Sequence, residues 1–138
     1  MASRPTGAAG LGAWLLLLAG ACSPQKALDP LALYPASPEG HMALLRGKLE
    51  MDGPCLYIVG EDGRRWLAAF PSPGTEWFAA DRAVKVRNRV IQLGETAAFV
   101  GGEAGGGDGL PWVRAPAEPC DGSPVWMITD VAAGQTGP

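Results

Sequence analysis

Side chains that do chemistry are scarce in this chain of 138 residues. His41 is the one histidine. Histidine switches charge near neutral pH, but no nucleophile or second metal ligand lies close to His41 in sequence. Ser72 and Ser123 stand in Pro-flanked turns, without the neighbouring base that nucleophilic hydrolysis needs. With 3 Cys and 1 His, a His-rich metal site cannot be built. The stretch from Gly101 to Gly109 is mostly Gly and holds Glu103 and Asp108. It lacks the Lys-Ser/Thr of a phosphate-binding loop, and two carboxylates fall short of the roughly 6 to 8 oxygens a calcium ion takes. No catalytic residue, metal or cofactor is therefore expected.

Binding is better served. Arg82, Lys85, Arg87 and Arg89 are the densest basic stretch. They form either a solvated outer face or a patch for anionic headgroups or envelope polymers. Of the tryptophans, Trp66 and Trp126 lie in apolar runs and read as core. Trp77 and Trp112 lie beside Pro and Gly, where an aromatic either caps a barrel end or contacts a ligand. Candidate ligand contacts are thus Trp77, Trp112, Lys85, Arg87 and Arg89. Net charge is −3, so any positive patch is local. Nucleic-acid binding, which needs clustered positive charge, is not expected.

The N-terminus carries an address. Arg4 precedes an apolar run from Leu11 to Ala19, too short to span a bilayer but of signal-peptide length. Leu18-Ala19-Gly20-Ala21-Cys22 resembles the lipobox of bacterial lipoproteins. That resemblance implies cleavage before Cys22 and lipidation of its thiol. Ser23 implies the outer membrane, periplasmic face, where a cell has two membranes. Lipidation removes the odd thiol of three and leaves Cys55 and Cys120 as a disulfide pair, apt for an exporting compartment. The other readings are plain secretion with Cys22 free or bridged to another chain, and Cys55 and Cys120 as buried thiols.

These features must be held by a mostly β-structured domain. Residues 22–41 carry Pro24, Pro30, Pro35 and Pro38 and read as a semi-rigid tether. Within it Leu31, Leu33 and Tyr34 are apolar enough to dock on the domain or on a partner. From residue 42 apolar residues alternate in period 2 between turn signals. In 43–51, Leu45, Gly47, Leu49 and Met51 share one face. Cys55–Val59 is apolar throughout, and Glu61-Asp62-Gly63 makes a hairpin turn to a strand over 65–70. Residues 75–82 read as an irregular or one-turn helical connection. Short strands follow at 83–86 and 90–93, with Asn88 suited to the left-handed turn between them. Further strands follow at 96–101 and 125–131, with a mobile Gly-rich loop from 101 to 109.

The expectation is an all-β domain over 42–131, a barrel of five to six strands that resembles the oligonucleotide/oligosaccharide-binding (OB) fold. A small β-sandwich is the alternative. Residues 1–21 form the signal, 22–41 the lipidated Cys and tether, and 132–138 a tail. The expected role is a membrane-anchored envelope lipoprotein with a non-catalytic binding or structural module. Its partners would be the membrane, through the lipid, and an envelope protein or anionic polymer. The alternative is a soluble exported inhibitor or small hydrolase.

Overall fold

The computed structural model of the protein describes residues 29–38, 40–120 and 124–132. Cys22, the signal segment, most of the tether up to residue 28 and the tail from 133 lie outside them. Nine strands run in chain order: β1 (Ala32–Pro35), β2 (Ala43–Asp52), β3 (Cys55–Gly60), β4 (Arg65–Ser72), β5 (Thr75–Phe78), β6 (Ala83–Val86), β7 (Arg89–Gln92), β8 (Thr96–Glu103) and β9 (Val125–Ala132). Among the described residues there is no helix.

Five strands close into a ring. β2 pairs antiparallel with β3 and with β8, β3 with β4, and β8 with β9; β4 then meets β9 in parallel. Numbered 1 to 5 along the chain, the ring runs 1-2-3-5-4-1, the strand order of the OB barrel. Closure leaves these five strands without open edges. β5, β6 and β7 form a separate three-stranded sheet between the third and fourth ring strands.

The ring's interior holds Leu49, Ile58, Phe70, Phe99 and Ile128, all inaccessible to solvent. Val84, Val86 and Ile91 from the small sheet pack into the same cluster, so that sheet plugs the barrel. Each such side chain contributes about 1.5–3 kcal/mol when fully buried. Alternation on β2 follows the sequence, with Gly47 and Leu49 buried and Lys48 and Glu50 exposed. Gly47 allows a close backbone approach: a Cβ there would overlap the Val59 carbonyl oxygen.

A second cluster coats the outside of β3, β4 and β9. Cys55, Tyr57, Leu67, Ala69 and Val125 point outward and are covered by Tyr34 together with Leu110, Trp112 and Cys120 from the long β8–β9 connection. The Cys55–Cys120 disulfide pins this cover. Both faces of β3 are thus buried, which is why its sequence is apolar throughout instead of alternating. The β3–β4 outer surface, where OB barrels take their ligands, is occupied by the chain itself.

Three expectations are corrected, and the docking of Leu31, Leu33 and Tyr34 on the domain is borne out: β1 pairs in parallel with β4, Leu31 and Tyr34 are buried, and Asp29 bridges to Arg114 at 2.8 Å. Residues 75–78 are not irregular but form β5, because β6 supplies a partner strand. Arg87, not Asn88, takes the left-handed conformation of the β6–β7 turn, at φ 56°. Gly101 and Gly102 belong to β8 and are buried, so the loop begins only after Glu103.

Candidate functional site

A cleft lies beside the end of β1. Tyr34 and Pro35 end β1, and Ser37, Gly40 and His41, which precede β2, lie against β9. The cleft of about 260 Å³ lies between this segment and β9, with Pro35, His41, Pro111, Met127 and Thr129 among its walls. That volume is just under the roughly 300–1,000 Å³ of ordinary small-molecule pockets. It suits a compact group or a few side chains of a peptide.

Two glycines allow close packing around it. A Cβ on Gly40 would come within 2.5 Å of the Thr129 methyl, and one on Gly102 within 2.7 Å of His41 Cβ. The imidazole of His41 therefore lies directly over bare backbone at Gly102 while remaining exposed to solvent.

The polar groups here are mostly committed. The Tyr34 hydroxyl donates to the Ile128 carbonyl oxygen, and the Thr129 hydroxyl donates to the Val100 carbonyl oxygen at 3.1 Å. Burial pushes the Tyr34 phenol up to about 12, while the Arg87 guanidinium pulls the other way. At neutral pH Tyr34 is a neutral donor and not a base. No carboxylate lines the cleft among the described residues. Nor does any group of three or more His, Cys, Asp or Glu stand ready for a metal ion among them.

Of the residues singled out in the sequence, Tyr34 and His41 line this cleft, and Arg87 bonds to the backbone of one wall residue, Thr129. Its Nε donates to the Thr129 carbonyl oxygen at 3.1 Å. Arg89 is exposed on the same hairpin and borders a separate recess with Val90, Glu95 and Val131. Lys85 points outward from β6, with Glu76 directly across on β5 and Val90 across on β7. Trp77 lies half-buried against the interior cluster, its ring nitrogen buried with no hydrogen-bond partner among the described residues. Trp112 is half-buried on the outer cluster, its indole N–H donating to the Gly107 carbonyl oxygen at 3.2 Å. It also walls an open recess of about 560 Å³ beside Gly106–Gly109 and Ala115–Glu118. The two tryptophans thus belong to different clusters and do not form one platform. Trp66 and Trp126 are core, as expected, and meet edge to face at 6.2 Å between ring centres.

Tyr34, Met127 and Thr129 were not singled out as one site. The one sequence signal was the apolar character of Leu31, Leu33 and Tyr34 inside a Pro-rich stretch. Cys55 and Cys120 are bonded to each other. Comparison with protein-family models finds no match, and comparisons with curated proteins and with solved structures find none either.

Proposed function

We propose that this is an exported, lipid-anchored envelope protein whose barrel is a non-catalytic binding module, with the cleft at Tyr34, His41 and Thr129 as its binding site. One observation carries the anchor. The Cys55–Cys120 bond uses two of the three cysteines, which leaves Cys22, at the end of the lipobox-like segment, as the thiol to be lipidated. The disulfide also suits an oxidising compartment.

The cleft supports binding over catalysis. Its walls are largely apolar, its Tyr34 and Thr129 hydroxyls are held by backbone carbonyls, and its imidazole has no carboxylate beside it among the described residues. Arg87 at the Thr129 wall favours an apolar group that carries a negative charge, from an envelope protein or an anionic polymer. Fractionation of cells making the wild type and Cys22→Ser tests the reading. The wild type is expected in the membrane fraction and the variant in the soluble fraction; equal distribution of the two overturns the anchor.

A further inference from the structure

We infer that the barrel rests on the membrane that holds its anchor, meeting anionic headgroups with the face built around Thr129. The inference depends on the proposed lipidation of Cys22. Its basis is the position of β1. A tether running to residue 41 would leave 18 residues, 24–41, to spread beyond Ser23. Instead the chain is already fixed at Asp29, bridged to Arg114, and at Leu31, which is buried. Only residues 23–28 separate Cys22 from this fixed point. Seven residue steps reach at most about 25 Å when fully extended. That leash keeps the attachment point at Asp29 within about 25 Å of the headgroups, so the barrel surface stays within reach of them.

Exposed chemistry selects the side. Met42 and Leu44 are large apolar residues left 83% and 64% exposed. Met42 immediately precedes β2 and Leu44 is its second residue, close after the cleft residue His41. Leu44 is the cross-strand partner of Val100, whose carbonyl takes the Thr129 hydroxyl. The Thr129 carbonyl takes Arg87, and the Thr129 methyl lies against Gly40. One residue thus gathers the exposed apolar pair and the tip of the basic hairpin. That hairpin adds Arg89 and the 54% exposed Val90. Two acidic residues neighbour this face: Glu95, which shares a recess with Arg89 and Val90, and Asp130, next along β9, whose carboxylate accepts the Val131 N–H. Apolar side chains beside arginines match the boundary of a bilayer carrying anionic lipid, where both burial and charge favour contact.

The test uses the full chain purified from host membranes and placed in vesicles of phosphatidylglycerol and phosphatidylethanolamine, or of phosphatidylcholine alone. Amide hydrogen exchange is read by mass spectrometry, which also gives the mass of the Cys22 peptide in the same sample. In anionic vesicles, exchange across 42–44 and 87–90 is expected to slow about threefold or more relative to detergent. That protection should disappear near 1 M salt, where the Debye length is about 3 Å. Leu44→Ser and Arg89→Glu, both at exposed positions, should each reduce it while leaving the protection of β3 and β4 unchanged. A lipidated Cys22 with no protection at these segments overturns the inference alone. An unmodified Cys22 overturns the anchor and this inference with it. Equal protection on phosphatidylcholine overturns the charge recognition. Protection that appears only when envelope extract is added overturns the membrane as occupant in favour of a protein.

Discussion

Arg87 donates from Nε to the carbonyl oxygen of Thr129 at 3.1 Å, across 42 residues of sequence. This contact ties the β6–β7 turn, which belongs to the small sheet, to a ring strand of the barrel. It also sets a guanidinium beside the cleft at the point where Tyr34 responds to it. The hairpin that plugs the barrel is therefore linked to a wall of the cleft.

Arg87 holds this contact from a left-handed backbone, at φ 56°, which costs a non-glycine residue about 1 kcal/mol. Arg87→Gly relieves that cost while losing the hydrogen bond, so its stability should stay within about 1 kcal/mol of the wild type. Arg87→Val, β-branched in the same conformation, should lose clearly more. Denaturant melts of the three proteins make the comparison. A Gly variant less stable than the Val variant would refute the assignment of backbone strain.

Tyr34→Phe removes the donor to the buried Ile128 carbonyl, and about 1–3 kcal/mol of stability should go with it. Alkaline titration gives a second reading. The folded protein holds the Tyr34 proton to about pH 12, above the ordinary tyrosine value of 10.0. The contribution is therefore complete below pH 10 and is lost as pH rises toward 12. At about 1.4 kcal/mol per pH unit, the loss is at most about 3 kcal/mol. Stability measured from pH 9 to 12 should fall more steeply in the wild type than in Tyr34→Phe, and parallel curves would contradict the burial of this phenol.

Gly47 and Gly106 offer a matched pair. Gly47→Ala drives a methyl into the Val59 carbonyl, whereas a Cβ on Gly106 meets nothing within 4 Å. Thermal unfolding should register a loss of about 2–3 kcal/mol for the first and a change within about 0.5 kcal/mol for the second.

The disulfide closes a sequence separation of 65 residues, and loop-closure entropy gives it about 4 kcal/mol as an upper-end value. Reduction, or Cys55→Ala with Cys120→Ala, should lower Tm by roughly 15–30 °C. Because Cys120 clips the β8–β9 connection over the outer cluster, hydrogen exchange should rise first in 104–120 and only later in β3. A Tm indifferent to reductant would show that the cover holds without its clip.

Much of the barrel was legible because local pattern and global burial agree. β2 alternates because one face is core and the other solvent. β3 was readable as a strand, but not as one buried on both sides, since the loop that covers it comes more than 40 residues later. β5 was missed because Thr75–Phe78 is four residues long and shows no period of its own; its pairing with β6 makes it a strand. β1 was hidden by Pro35 within it and Pro30 before it, which suit both a tether and a short edge strand. For the cleft, the basic hairpin was visible and its partners were not. Arg87 finds Thr129 across 42 positions, and Tyr34 finds Ile128 across 94. No local spacing encodes such contacts.

The most direct test of the central claim is the intact mass of the mature N-terminal peptide from membrane-extracted protein. The expected result is a chain that begins at Cys22 and carries a thioether-linked diacylglyceryl group and an N-terminal acyl chain. A chain that begins elsewhere, or a Cys22 of unmodified mass, would contradict it.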